Sequence, residues 1–326
     1  MKLVSIFLIL IITQILCEKK VTFEKLLSDL RKDIKMKKIA IAGADNPETL
    51  MTSRIAKNME IGDSILIGDE KKIRQIAEEY DVDISDFEIV DLQTPTEISR
   101  YAVKLVHDRK ADMYVKGNIE TRDVLKAVLD KEIGLKTNNL ISMVGVFEIE
   151  DRMIFLTDPS VMPYPTLDEK AQLINNAVNF ARFAGIKEPK VAAVTAISVS
   201  NPRMPETMDA EQLTKMNKEG IIKNCIVDGP LSLDLAISPE SAQIKNSQRR
   251  INGDADIILF PDVHAANIAY KILTHLSDAK SGNIILGTAE PVILSSRSDT
   301  VQVKLNSIIL GFTYDRLIHQ KNKIGK

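Results

Sequence analysis

The sequence predicts an α/β fold, with mostly parallel sheets covered by helices on both faces, arranged as two domains. Three observations carry this. From residue 38 onward, short β-rich runs alternate with helical periodicity, and helix-capping signals punctuate the second half. The chain of 326 residues, 44% hydrophobic and 27% charged, is long enough for two full cores and lacks a disordered composition.

Taken in order, "KKIAIAG", "DSILIGD", "FEIVD" and "ADMYVKG" read as strands, separated by helical stretches around residues 47–58, 70–80, 96–109 and 121–130. Then "ISMVGVFEI" and "RMIFLTD", parted by the polar "EIEDR", suggest an antiparallel hairpin or a neighbouring pair inside a mixed sheet. Thr166 and Glu169 have capping-box spacing and open a helix that stops at Gly185. Asp209 and Gln212 have similar spacing before a helix ending at Gly220. The strands "KVAAVTAIS", "CIVDG", "ADIILFPD" and "NIILG" intervene. A boundary near residue 140 places residues 21–140 plus 295–326 in a first domain and 141–294 in a second.

The N-terminal "MKLVSIFLILIITQILC" sets Lys2 before an apolar run from Leu3 to Ile12 that resumes at Ile15 and Leu16. That is the size of a signal h-region and short for a membrane span. It lacks a small-x-small cleavage site, and Leu16 is too large for a good lipoprotein signal before Cys17. Residues 1–20 are expected to lie outside the fold. The formal charge of −2 and pI of 6.2 give no field that would gather nucleic acid. Cys17 and Cys225 form no CxxC or Cys/His cluster, so no disulfide framework or zinc site is expected, and Cys225 reads as a core thiol.

Several motifs are absent. "AGADNPET" stands where a dinucleotide-binding GxGxxG would follow the first strand, and there is no GxxxxGK[ST]. His107, His264, His275 and His319 are scattered without a zincin motif or nucleophile elbow, and His107 and His319 read as helix-surface residues. In an open α/β sheet ligands bind beyond strand ends. Here those ends carry Lys116-Gly117-Asn118, Thr157-Asp158, Asp228-Gly229-Pro230, Pro261-Asp262 and Ser296-Arg297, which together suggest a cleft. Near the C-terminus, "PVILSSRSDTVQVKLNSIILG" interrupts strand and long amphipathic helix with a polar segment. There Arg297 and the amides of the following helix N-terminus favour an anion.

At "KGNIETRDVLKAVLDKEIGL", "ISVSNPRMPETMDAEQLTKM", "DGPLSLDLAISPESAQIK" and "PVILSSRSDTVQVKLNSI" the chain resembles the phosphate acetyl/butyryl transferase family, over roughly residues 21 to 312. The resemblance implies a two-domain α/β/α subunit similar to the isocitrate and isopropylmalate dehydrogenase fold, with the active site between domains. It also implies a homodimer or larger assembly, cytoplasmic location, and conversion of acyl-CoA and phosphate to acyl phosphate and CoA, with no cofactor or metal. A real signal segment in residues 1–17 would instead mean export.

The residues suit that chemistry. Arg297 holds phosphate, the Ser296 hydroxyl meets the negative charge that builds on the thioester carbonyl, and Asp299 orients or deprotonates the nucleophile. Lys116, Thr121 and Lys126 match family positions at the phosphate or CoA side, and Asn267, Tyr270 and Lys271 match a family segment near the site. Asp158, at its strand end, joins them as a substrate-binding candidate.

Two departures stand out. Relatives usually have Glu-x-Gly-Asn where this chain has "HAAN", so His264 and Ala266 replace a carboxylate and a glycine. The acetyl branch commonly has Ser-Arg-Gly-x-x-x-x-Asp, whose last position is Val303 here, whereas Ser296, Arg297 and Asp299 match the butyryl branch. The alternatives are acetyl transfer, or an acyl-CoA-sensing module, which "HAAN" would favour. A decarboxylating dehydrogenase would need an acidic metal cluster that the sequence does not present.

Overall fold

In the computed structural model, which describes residues 21–32, 36–150 and 152–324, eleven strands form one mixed sheet. The chain runs through α1 (Phe23–Leu30), β1 (Lys37–Ala42), α2 (Pro47–Asn58), β2 (Gly62–Gly68), α3 (Glu70–Glu79), β3 (Glu88–Asp91), α4 (Pro95–His107), β4 (Met113–Lys116) and α5 (Thr121–Val128). It continues through β5 (Ser142–Ile149), β6 (Arg152–Thr157), α6 (Leu167–Ala184), β7 (Lys190–Val194), α7 (Pro205–Lys218), β8 (Ile226–Leu231), α8 (Leu233–Ile237) and α9 (Pro239–Ile244). It ends with β9 (Ile257–Leu259), α10 (Val263–Leu276), β10 (Lys280–Leu286), β11 (Val292–Ile293) and α11 (Val301–Ile324). Residues 1–20, with their apolar run and Cys17, lie outside the described residues. Among the described residues no helix is long and apolar enough to cross a membrane.

The strand order is β3-β2-β1-β4-β11-β10-β5-β6-β9-β7-β8. The first five pair in parallel, as do the last four. Between them β10 is antiparallel to both β11 and β5, and β5 is antiparallel to β6, the hairpin expected from its polar joint. Strand direction therefore reverses at the middle of the sheet. Side chains alternate across it: Ile39, Ile41, Val144 and Ile284 face a core shared with α1, α2, α3, α6, α7 and α11. Ala40, Tyr114, Met143, Phe147 and Ile285 face a core shared with α4, α5, α8, α9 and α10. Each Ile, Phe or Met buried this way contributes about 1.5–3 kcal/mol relative to exposure.

The helix starts follow local chemistry. Asn46, Asp69, Thr94 and Asp262 each accept a backbone N–H from the first turn, and Thr166 with Glu169 forms the expected capping box. Asp209 and Gln212 do not open a helix. That helix begins at Pro205, whose ring presets the helical φ, so Asp209 lies within it and pairs with Lys170 at 2.6 Å. Gly220 takes φ +75° just beyond the helix end. Cys225 is buried, and burial pushes its thiol up to about 11.

The last helix differs from the amphipathic one expected. Residues 303–315 of α11 are buried all round, including Lys304, Asn306, Ser307, Thr313 and Asp315. Its polar groups bond to the sheet: Ser307 Oγ accepts the Asn283 N–H at 2.9 Å, and Asn306 Nδ2 donates to the Ser281 carbonyl at 2.9 Å. Gly282 permits this crossing, since a Cβ there would lie 3.0 Å from the Ser307 nitrogen.

Candidate active site

A cleft of about 330 Å³ opens where strand direction reverses. Its floor comes from β4, β5, β10 and the segment after β11, and α5 and α10 supply its sides. Of the five polar strand ends, three reach it: Lys116, the loop after Thr157-Asp158 through Pro159 and Ser160, and Ser296-Arg297. Asp228, Gly229 and Pro230 instead lie within β8, where Asp228 accepts the Arg250 and Ile251 N–H groups. Asp262 serves as the cap of α10.

Two buried lysines hold the polar loop. Lys116 Nζ donates to the Ser295 carbonyl at 2.9 Å, and Lys304 Nζ donates to the Ser296 carbonyl at 3.0 Å. Burial pushes both below the ordinary lysine value, Lys116 to about 8, where the nearby charges of Lys304 and Arg297 add to the effect. Asp299 closes the loop from the other side, its Oδ2 accepting the Ser296 N–H at 2.7 Å. Burial raises the Asp299 carboxyl, against the opposing Ser296 N–H and the Lys304, Lys271 and Lys116 charges. Its Oδ1 is buried without a hydrogen-bond partner. A carboxylate so placed can accept a proton from a ligand P–OH.

Of the amides near the start of the last helix, those of Val303 and Lys304 are already engaged by Thr300. The Ser296 N–H is likewise taken by Asp299, and the Lys116, Arg297 and Lys271 side chains bring positive charge to the cleft. Arg297 stands at the mouth, with Nη2 2.5 Å from Glu120 Oε1. Glu120 precedes α5 without capping it by its side chain, which frees the carboxylate for Arg297. Thr121 lies beside it on the cleft wall. Ser296 Oγ is 3.0 Å from Ser298 Oγ, and both residues line the cleft.

On the opposite wall, the Tyr270 ring packs against Gly145. A Cβ on Gly145 would sit 2.7 Å from Tyr270 Cδ2, so only glycine leaves room for the ring. Phe147 stacks edge-on at 5.4 Å between centroids, and the Lys271 ammonium lies 5.8 Å from the Tyr270 ring centre. The Tyr270 hydroxyl, which faces Asn283, has no hydrogen bond of normal geometry.

The remaining candidates divide. Lys271 and Asn267 line the cleft, and Asn267 Nδ2 also donates to the Pro159 carbonyl at 2.8 Å. Lys126 is exposed on α5 and does not line the cleft. Asp158 is buried behind the wall, where its oxygens accept N–H groups from Met143, Ser160 and Val161. Burial raises its carboxyl to about 6 against those backbone donors. It positions the wall rather than facing a ligand. His264 contacts the Tyr164 hydroxyl at 2.8 Å, away from the cleft lining, and Ala266 is fully buried.

Contrary to the surface reading, His319 is partly buried, its Nε2 3.1 Å from Asp315 Oδ1 and 3.6 Å from Glu290 Oε2. Among the described residues these three form a group able to hold a metal, outside the cleft, but Lys37 already pairs with Asp315 at 2.9 Å.

Glu120, Met143, Asn283, Leu294, Ser298 and Lys304 complete the site or its support and were not singled out from sequence. Only Lys304 left a local signal, a charge between Val303 and Leu305 on a helix whose neighbours are apolar.

The chain matches the Phosphate acetyl/butaryl transferase family over residues 22–102 and 92–312. It is 46% identical over 281 residues to the phosphate butyryltransferase of Clostridium acetobutylicum, an alignment covering 86% of this chain and 93% of that protein. It is 41% identical over 282 residues to the phosphate acetyltransferase of Thermotoga maritima, covering 86% of this chain and 96% of the relative. A solved structure of a branched-chain phosphotransacylase from Enterococcus faecalis V583 superposes with a TM-score of 0.76 at 31% identity, covering 86% of this chain and 99% of that one.

Proposed function

The chain belongs to the phosphate acetyl/butyryl transferase family, and from that premise we propose that it transfers the acyl group of butyryl-CoA, or a similar short acyl-CoA, to inorganic phosphate. The observation that carries this is the meeting of Lys116, Ser296, Arg297 and Asp299 in one cleft. A phosphate oxygen attacks the thioester carbonyl carbon, the C–S bond breaks, and the products are acyl phosphate and CoA. Lys116 and Arg297 hold the anion, Asp299 takes the P–OH proton, and Ser296 donates to the carbonyl oxygen as it gains charge. Thr121, Asn267, Tyr270 and Lys271 border the bound substrates. Phosphate is itself the nucleophile, so this chemistry calls for no covalent enzyme intermediate, cofactor or metal. Holding both substrates in one cleft supplies much of the rate.

The Ser296-Arg297-x-Asp299 pattern and the relative at 46% identity favour butyryl over acetyl transfer. Release of CoA thiol from butyryl-CoA on adding phosphate, compared with acetyl-CoA, tests the reading. No phosphate-dependent release would leave an acyl-CoA-binding module, and strict use of acetyl-CoA would reverse the branch assignment.

The same reading extends to organisation and place. We assign residues 21–140 plus 295–326 and residues 141–294 to two α/β units of isocitrate dehydrogenase-like type joined through the common sheet, on the support that β1–β4 lie together at one end of that sheet and β6–β9 together at the other. A homodimer or larger assembly is supported by Ile268, Ile272 and Leu276, exposed in one stripe on α10. The chemistry places the enzyme with CoA thioesters in the cytoplasm, which N-terminal sequencing and fractionation of native protein would test.

A further inference from the structure

Resting on the acyl-transfer reading above, we propose that the acyl group lies on the sheet floor of the cleft against Met143 and Leu294, its carbonyl oxygen turned to the Asn283 amide, so that Met143 limits acyl-chain length. The cleft lining is polar except at Met143, Pro159, Tyr270 and Leu294. A hydrated anion gains nothing from such a surface, whereas an acyl tail does. Met143, Asn283 and Leu294 come from neighbouring positions: β5 pairs with β10 through Met143↔Ile285 and Gly145↔Asn283, and Leu294 directly follows β11, which pairs with β10. Directly opposed and i, i+2 residues share a sheet face, so Met143 and Asn283 look the same way, toward α10.

Asn283 gives the patch its polar end. Its side chain is fully buried beside the Tyr270 hydroxyl, which can donate to Oδ1, and neither Nδ2 nor Oδ1 has a hydrogen bond of normal geometry. Its backbone is held by the Ser307 hydroxyl at 2.9 Å and by the ladder to Gly145, so the amide is fixed in place. Buried amides left unpaired are rare in folded proteins and call for a partner. A thioester carbonyl supplies an acceptor for Nδ2, and its charge grows during attack. Lys116, Arg297 and Asp299, which the acyl-transfer reading gives to phosphate, line the same cleft, so an acyl group on this patch lies within reach of the nucleophile.

The test compares kcat/KM for acetyl-, butyryl- and hexanoyl-CoA, with phosphate KM and melting temperature, in the wild type, Met143→Val, Leu294→Val and Asn283→Leu. Met143→Val should raise the hexanoyl-to-butyryl ratio by about tenfold or more, since a methylene in a pocket discriminates on that scale. Leu294→Val should shift the ratio in the same direction and decides the matter if the first variant does not fold. Asn283→Leu should lower kcat on the order of 100-fold while phosphate KM stays within about twofold. Folded variants with wild-type chain preference and turnover would overturn the acyl subsite while leaving the transferase reading intact. No phosphate-dependent thiol release by the wild type would overturn the transferase reading, and the subsite with it.

Discussion

Arg297 and Glu120, 177 positions apart, meet across the mouth of the cleft with Nη2 and Oε1 2.5 Å apart. Both side chains are more than half exposed, so the pair adds little to stability, an exposed ion pair being worth about 0.2–1 kcal/mol. On the acyl-transfer reading its effect is on the ligand: Glu120 would compete with phosphate for the guanidinium and add negative charge where the anion enters. Glu120→Gln should lower phosphate KM by about two- to fivefold, with the gain shrinking at high salt. A higher KM would show instead that Glu120 orients Arg297 for binding.

On the same reading Lys116 ties phosphate use to pH. Burial brings its ammonium down to about 8 from 10.5, so phosphate KM should climb as pH passes 8, and Lys116→Met should give a high KM with that step removed. Unfolding through this group does not explain such a loss. Between about 8 and 10.5 the unfolded chain binds more protons at this lysine than the folded one, so its contribution to stability rises with pH there. Phosphate KM measured from pH 6 to 9.5, with melting temperature alongside, separates the two effects. A wild-type KM that stays flat through pH 8 would remove Lys116 from phosphate binding.

The loop at residues 295–299 serves either chemistry or helix capping, and variants separate these. Capping of α11 falls to Thr300, whose hydroxyl accepts the Val303 N–H, so Ser296 and Arg297 are not needed for it. Arg297→Ala should leave the melting temperature nearly unchanged and raise phosphate KM severely. Arg297→Lys should recover only part, because an ammonium lacks the planar fork that grips two oxygens. Ser296→Ala should cost on the order of 10- to 1000-fold in kcat. Normal kinetics in both alanine variants would move the active site elsewhere.

Much of this architecture is legible along the chain because its causes are local. Caps at Thr166 and Asp262 and the β-rich runs mark where helices and strands lie, and the polar strand ends at Lys116 and Ser296 point to the cleft. What escapes is whatever depends on the chain folding back on itself. Asp228 looks like a turn residue until β8 runs through it, and Asp158 looks like a ligand until backbone N–H groups fill its oxygens. Asn283 reads as an ordinary strand residue, because nothing nearby in sequence shows that its amide will be buried beside a cleft and the Tyr270 hydroxyl. The burial of α11 on all sides is likewise set by the sheet and helices around it, not by its own period.

Gly145 is the quietest of these residues and yields a sharp test. The Tyr270 ring occupies the space a side chain there would fill, with Cδ2 and Cε2 only 2.7 and 2.8 Å from a built Cβ, and Phe147 behind the ring limits its retreat. Gly145→Ala should therefore push Tyr270 out of place, destabilising the fold by about 1–3 kcal/mol, the usual cost of overpacking. Because Tyr270 lines the cleft, turnover in the folded fraction should fall as well. Tyr270→Leu removes the ring that clashes, so the double variant should be more stable than the sum of the single changes allows, a coupling visible in melting temperature or denaturant midpoint. It should not regain turnover, since the ring that forms this wall is gone. Additive stability effects would mean that the ring does not meet Gly145 as described, and recovered turnover would take Tyr270 out of the site.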